Sequence, residues 1–174
     1  MVIRKGTGLI SGTKVIVIDN ELKSFLRSKG FGEEEGTRQN LSLIEALFLM
    51  EMGKMNVSDG KRNLKFQDLI KKGNEIEENF YSKYLVYKDL RERGFLVRTG
   101  LKFGSDFRVY SKGKTIKSGH SDYLIQVVPE EYRCSFPDIA RSVRLSQNVN
   151  KDMIYAIVDE EGDITYYRIN RMKL

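Results

Sequence analysis

Strand-like segments rich in β-branched and aromatic residues fill the second half of the chain after Gly94. They read FLVRTG, KFGSDFRVY, YLIQVV, MIYAIVD and ITYYRIN. A segment of different character, PDIARSVRLSQNVN, lies between the third and the fourth, and Ile139 and Val143 give it an apolar edge. Alternating β-branched residues favour strands, whereas apolar residues at helical spacing favour a helix. The pattern predicts a mixed sheet with one helix inserted between its third and fourth strands.

The first half is predicted to be a small α+β unit without a catalytic group of side chains. Short strands are expected within residues 1–18, and Asp19 or Asn20 begins a helix that ends at Gly30. Ser42 and Glu45 match a capping box in front of a very apolar helix. The remaining segments are read as an acidic loop at 32–36, a polar turn at 57–63 and a short helix at 66–72.

A long helix over residues 74–93 is predicted to connect the two halves. Ile76, Phe80, Tyr84 and Tyr87 recur in it at helical spacing. The domain boundary is placed near its start, with an N-terminal α+β domain over 1–79 and a C-terminal domain over 80–174. The fold class is therefore α+β, and the C-terminal domain is of α/β type with a mixed central sheet flanked by helices.

Charge and cysteine content restrict the class of protein. The net charge of +6 favours polyanionic partners such as nucleic acid, although a merely basic soluble protein fits it equally well. The single cysteine, Cys134, cannot form an internal disulfide, and it reads as an ordinary small hydrophobic residue. No apolar run approaches the roughly 20 residues of a membrane span, and the N-terminus lacks an apolar signal core. We expect a cytoplasmic protein without a membrane partner.

Three side chains between 103 and 151 supply a phenol, an imidazole and an ammonium group, which together can cut RNA at a 2′-hydroxyl without a metal. His120, the only histidine, can donate a proton near neutrality. Tyr110 ends the strand segment DFRVY; tyrosine is a weak base, and it can instead orient the 2′-hydroxyl. Lys151 follows the predicted helix and can stabilise charge on a phosphorane. By spacing alone, each also fits an ordinary surface or strand-end residue.

Three motifs stand out in the second half: the run G-x-K-F-G-x-D-F-x-x-Y that ends at Tyr110, the His-Ser pair at 120–121, and the helix that ends in V-x-K before a strand. With these motifs the chain resembles the archaeal tRNA-intron endonuclease family. The resemblance covers residues 80–170 and implies a nuclease-like C-terminal domain. It implies Tyr110 as general base, His120 as general acid and Lys151 as the cation, with neither metal nor cofactor.

The resemblance also implies the substrate. This is precursor tRNA, cut at bulge-helix-bulge splice sites to leave 2′,3′-cyclic phosphate and 5′-hydroxyl ends, the reaction of a tRNA-intron lyase. Arginines of the family clasp a bulged base, and Arg144 and Arg168 are the RNA-binding candidates. Arg144 lies about two helical turns before Lys151 and is expected on the same side, whereas Arg168 is expected to come from a partner subunit. Either arginine can also be read as a solvated charge.

Assembly is expected from the last part of the chain. In the family, an acidic loop such as Asp159–Asp163 docks into a basic cleft of a neighbouring subunit, and the terminal strand ITYYRIN would leave an open edge without a second copy. A homotetramer, as a dimer of dimers, and the catalytic subunit of a heterotetramer both fit.

Two other functions remain open. One is a non-catalytic RNA-binding or assembly subunit, which the presence of all three site residues disfavours. The other is a metal-dependent nuclease, which is disfavoured because the acidic residues are expected in loops rather than at strand ends. Those residues are Glu33–Glu35, Glu77, Glu78 and Asp159–Asp163.

Overall fold

A computed structural model describes residues 5–113 and 119–172, and the chain divides into two compact units, Met1–Tyr84 and Leu85–Leu174. The division falls inside the fourth helix, whereas the sequence placed the boundary at the start of that helix. Among the described residues, each unit holds a five-stranded mixed sheet. The mixed α and β architecture predicted from the sequence is confirmed.

The elements follow the chain in this order. The first unit contains strands β1 (Gly6–Ser11), β2 (Lys14–Val17), β3 (Glu33–Glu35), β4 (Arg38–Ser42) and β5 (Met55–Ser58), and helices α1 (Asn20–Ser28), α2 (Leu43–Glu51) and α3 (Phe66–Ile76). The division between the two units falls within helix α4 (Phe80–Glu92). The second unit continues with β6 (Leu96–Thr99), a 3₁₀ turn (Leu101–Phe103), β7 (Phe107–Tyr110), β8 (Tyr123–Pro129), α5 (Phe136–Asn148), β9 (Asp152–Val158) and β10 (Ile164–Ile169).

The N-terminal sheet has the strand order β3-β4-β2-β1-β5, with only β1 and β5 parallel among these pairs. Helix α2 forms the centre of this unit's core, since every residue from Leu43 to Leu49 is buried. The predicted capping box begins this helix: the Ser42 hydroxyl accepts from the Glu45 amide, and the Glu45 carboxylate accepts from the Ser42 amide. The predicted cap of α1 at Asp19 is also confirmed.

Several predictions in the first half were wrong. The acidic residues Glu33–Glu35 form strand β3 rather than a loop, because they pair with β4. Arg27 pairs with Glu34 at 2.6 Å, and Asn40 donates to Glu35 at 2.6 Å. The polar turn expected at 57–63 begins inside β5. Of the strands expected within residues 1–18, the earliest begins outside the described residues.

The helix predicted over 74–93 is two helices. α3 continues through Gly73 to Ile76, and α4 starts at Phe80. Asn79 between them has a φ of 56°, a left-handed conformation that interrupts a helix and that asparagine tolerates better than most residues. Gly73 lies inside α3, and a side chain would not fit there because the Phe80 ring lies where its Cβ would be.

The C-terminal sheet has the order β10-β9-β8-β7-β6, and β8 and β9 are its parallel pair. The five predicted strands and the inserted helix are confirmed. Helix α5 crosses from β8 to β9, and Val143 lies in a buried cluster with Leu124, Val128, Met153 and Tyr155. On α4, Tyr87 packs against Phe107, and Asp89 accepts a hydrogen bond from Tyr166 at 2.7 Å.

The acidic segment Asp159–Asp163 is the turn of the β9–β10 hairpin, as predicted. The Asp159 carboxylate accepts from the amides of Glu161 and Asp163, at 3.0 and 2.8 Å. Gly162 adopts a φ of 88°, which a side chain would disfavour. Glu160 and Glu161 remain exposed, so the turn presents its negative charge to solvent.

Candidate active site

The ends of three neighbouring strands lie side by side at one end of the C-terminal sheet. β7 runs antiparallel to β8, and β8 runs parallel to β9, so the carboxyl end of β7 lies beside the amino ends of the other two. One row of opposed residues crosses the three strands there, and it consists of Val109, Tyr123 and Asp152.

The three predicted catalytic residues adjoin this row. Tyr110 is the last residue of β7 and follows Val109. Lys151 directly precedes Asp152. His120 lies before β8, in the segment that leads to Tyr123. The topology therefore brings to one end of the sheet residues that come from a strand end, a loop and the turn after a helix.

Lys151 is held by backbone and side-chain contacts. After α5, Asn150 takes a φ of 54°, and the Lys151 amide donates back to the Ser146 carbonyl at 2.9 Å. The side-chain ammonium donates to the Ser121 carbonyl at 2.7 Å and lies 5.6 Å from the centre of the Phe103 ring. A cation over an aromatic face is attracted electrostatically. The charge is thus placed at a defined position next to the His120 segment.

Ser121 and Phe103 are site residues to which the sequence assigned no role. Both lay inside the motifs that carried the resemblance, as the second residue of the His-Ser pair and the phenylalanine of K-F-G. Ser121 is 5% exposed. Phe103 is half-buried against the cluster between α5 and the sheet. Their contacts with Lys151 join positions distant in sequence, so the motif spacing could not indicate them.

His120 is exposed, whereas the serine after it is buried. An imidazole on an anchored backbone can reach a bound substrate and exchange protons with solvent. The glycine- and lysine-containing segment that precedes His120 in the sequence includes residues 114–118, which lie outside the described residues.

Tyr110 is 4% exposed, so its ring is packed into the domain. It pairs with Leu96 across β6 and β7. A buried ring at a strand end is rigidly oriented, which suits either proton transfer or orientation of a substrate hydroxyl.

Arg144 is exposed on α5. The expectation that it lies on the same helical side as Lys151 was wrong. α5 ends at Asn148, and the left-handed residue Asn150 reverses the chain before Lys151. The two side chains therefore do not share a helical face.

Arg168 lies on β10 and forms an ion pair with Asp152 at 3.4 Å. Asp152 directly follows Lys151, so the chain holds its own Arg168 near the same end of the sheet. The Arg168 side chain is 62% exposed, so it is accessible to a ligand.

Acidic and sulfur-containing residues are scattered over the described parts of the chain. Within 5–113 and 119–172, no three His, Cys, Asp or Glu side chains come together in an arrangement suited to a metal ion.

Over the same ranges, none of the helices is sufficiently long and apolar to span a membrane. Cys134 is an exposed free thiol, so it does not fill the core as a small hydrophobic residue would.

Both halves of the chain match described families of domains. Residues 80–166 match the tRNA intron endonuclease catalytic C-terminal domain, and residues 6–70 match the N-terminal domain of tRNA intron endonuclease. The chain belongs to the tRNA intron endonuclease family.

Relatives in this family align with nearly the whole chain. The tRNA-splicing endonuclease of Thermococcus kodakarensis is 46% identical over 165 residues, which cover 94% of this chain and 96% of the relative. The tRNA-splicing endonuclease of Pyrococcus horikoshii is 44% identical and covers 94% and 95%. That of Methanococcus maripaludis is 38% identical and covers 95% and 93%.

The tRNA intron endonuclease match also covers most of the predicted site residues. The part that resembles the catalytic domain contains Tyr110, His120, Arg144 and Lys151, and it ends before Arg168. The strand ends described above therefore belong to the catalytic domain of the family.

Proposed function

We propose that this protein excises introns from precursor tRNA by cutting at bulge-helix-bulge splice sites, without a metal or other cofactor. The products are a 2′,3′-cyclic phosphate and a 5′-hydroxyl. The observation that carries the proposal is the meeting of β7, β8 and β9 at one end of the sheet, which gathers Tyr110, His120 and Lys151. Family membership and relatives named tRNA-splicing endonuclease support the substrate.

The reaction uses the substrate's own nucleophile. Tyr110, as general base, takes the proton of the 2′-hydroxyl, whose oxygen attacks the adjacent phosphorus. As the bond to the 5′-oxygen breaks, His120, as general acid, donates a proton to that leaving oxygen. After the step Tyr110 has gained a proton and His120 has lost one, and proton exchange with solvent restores both residues.

Lys151 stabilises the phosphorane in this scheme. The crowded intermediate carries more negative charge on its oxygens than the ground-state phosphodiester does. A preorganised cation stabilises that added charge without having to reorient. The contacts of Lys151 with Ser121 and Phe103 support this role because they fix the ammonium before the RNA arrives.

Arg144 and Arg168 are proposed to bind RNA. Guanidinium planes stack on unpaired bases and bind phosphate oxygens. Both side chains are exposed, and Arg168 is linked through Asp152 to the strand that follows Lys151. We assign splice-site recognition to these arginines, and a structural or interface role to the domain over residues 1–79.

We propose that the protein acts as a homotetramer, a dimer of dimers. The edge strand β10 exposes its backbone and Tyr167, which is 53% exposed, and a second copy would cover both. The exposed acidic turn Asp159–Asp163 offers a complementary partner for basic surface on another copy. Two cuts per intron require two active sites, which an assembly of identical chains provides.

The test is cleavage of a bulge-helix-bulge RNA in excess EDTA, followed by analysis of the ends. We expect cuts at both splice sites with cyclic phosphate and 5′-hydroxyl ends. Intact RNA in EDTA that is cut after Mg²⁺ is added would contradict the metal-independent mechanism. RNA left uncut under both conditions would favour a non-catalytic subunit, and 3′-hydroxyl ends would indicate a different class of nuclease.

A further inference from the structure

We propose that Asp122 is a positioning residue that sets the relative placement of the three catalytic groups. The inference rests on the proposed function, because it explains how that site is held. Asp122 lies between His120 and strand β8, and its backbone and carboxylate join the ends of β7 and β9.

The first connection is to both sides of Tyr110. The Asp122 amide donates to the Val109 carbonyl at 2.8 Å, and the carboxylate oxygen Oδ2 accepts from the Ser111 amide at 2.8 Å. Val109 and Ser111 are the residues before and after Tyr110. Two bonds from one residue therefore hold the peptide units that set the direction of the Tyr110 side chain.

The second connection is to Lys151. The Asp122 carbonyl accepts from the Asp152 amide at 3.0 Å, which fixes the residue after Lys151. The carbonyl of the preceding residue, Ser121, accepts from the Lys151 ammonium. The segment from His120 to Asp122 thus contacts the chain on both sides of the site.

The carboxylate extends the sheet by one residue. β7 ends at Tyr110, so the Ser111 amide lies beyond the ladder between β7 and β8. The Asp122 side chain supplies the acceptor that a strand would otherwise provide, just before the loop whose residues 114–118 are not described. Without this bond the chain after Tyr110 loses its anchor at the point where the tyrosine must be rigid.

The same strand offers a matched control. At the opposite end of β7, Asp106 makes the equivalent pair of bonds to β8: its amide donates to the Ile125 carbonyl at 3.0 Å, and its carboxylate accepts from the Val127 amide at 2.7 Å. Removing that carboxylate also takes away a bond between a side chain and the backbone of β8, away from the catalytic residues.

The experiment measures single-turnover cleavage of a bulge-helix-bulge RNA at saturating enzyme, with RNA affinity measured separately by filter binding. Asp122→Ala removes the acceptor, and Asp122→Glu keeps the charge but moves the acceptor. Both should slow cleavage by roughly 10–100-fold, since a displacement of about 1 Å has an effect of that order. Asp122→Asn keeps an acceptor oxygen in place and should recover most of the rate. RNA affinity should stay within about threefold in all variants, because the effect acts on chemistry and not on binding.

Asp106→Ala should lose stability comparably to Asp122→Ala while cleaving within about threefold of the wild-type rate. Should Asp122→Ala fail to fold, the comparison of Asp122→Glu with Asp122→Asn still decides. The inference is overturned if the Glu variant cleaves like the wild type, if the Asn variant is as slow as the Glu variant, or if Asp106→Ala is equally slow. Failure of the proposed function looks different, because the wild type itself would then leave the RNA uncut, and the role of Asp122 would fall with it.

Discussion

Replacing Lys151 by methionine separates catalysis from stability. Methionine keeps an unbranched stem that can still pack on the Phe103 ring, but it removes the ammonium that donates a hydrogen bond to the Ser121 carbonyl at 2.7 Å. One preorganised group that faces developing charge lowers the activation barrier by about 3 kcal/mol. We therefore expect single-turnover cleavage to slow by roughly 10²-fold.

The stability effect of the same change should be small. Lys151 is only partly buried and methionine still packs on the ring, so losing the hydrogen bond from the ammonium should cost about 1–2 kcal/mol. For a chain of this length that lowers Tm by roughly 2–8 °C. Thermal unfolding and single-turnover cleavage, measured on the same preparation, test both magnitudes.

Lys102 provides the control. It is exposed in the 3₁₀ turn next to Phe103, and Lys102→Met changes the net charge by the same amount. We expect its cleavage rate within about threefold of the wild type, since an exposed charge is screened. A Lys151→Met rate within that same range would refute the role of a fixed cation, and equal losses in both variants would reduce it to general attraction of RNA.

Three further predictions follow from the structure. His120→Ala should slow single-turnover cleavage by roughly 10²–10⁴-fold with little change in Tm, because the side chain is exposed; an unchanged rate would remove it from the mechanism. Burial and the hydrogen bond to Asp89 raise the pKa of Tyr166, so its contribution to stability is complete below the unfolded value of roughly 10 and is lost as pH rises above it. Tyr166→Phe should therefore lower the unfolding free energy by about 1–3 kcal/mol at pH 7 and flatten its decline above pH 10, as followed by denaturant titration; a parallel decline in both proteins would contradict this. Light scattering should give the mass of four chains for the wild type and a smaller assembly for Tyr167→Lys, and a wild-type monomer would exclude self-assembly through β10.

The strands of the second half could be predicted because their local pattern and their final environment agree. Most of the buried residues of β8 and β9 are β-branched or aromatic types that also favour extended backbone, namely Ile125, Val127, Val128, Tyr155 and Val158. The caps at Asp19 and Ser42 were predictable for a similar reason, since each bond joins residues three apart in sequence.

The first half was harder because local residue preferences and the final structure disagree there. Three successive glutamates have low strand propensity, yet Glu33–Glu35 pair with β4. The break between α3 and α4 depends on one residue, Asn79, whose left-handed backbone leaves no trace in the apolar spacing. Helical periodicity continues through it, so the pattern indicated one helix where the chain forms two.

The chemical groups of the site could be named from the sequence alone. A single histidine, the motif that ends at Tyr110 and the lysine after the inserted helix identified a phenol, an imidazole and an ammonium, and the family match places all three within its catalytic domain. Residue type determines which protons and charges a side chain can supply, and this information is local.

Only the tertiary structure decided how these groups meet. The antiparallel pairing of β7 with β8 and the parallel pairing of β8 with β9 bring the three chain segments to the same end of the sheet. There the Ser121 carbonyl and the Phe103 ring contact Lys151, and the Asp122 carboxylate accepts from the amide that follows Tyr110. These contacts depend on strand register, which comes from packing and hydrogen bonding across the whole sheet and cannot be read from any one segment.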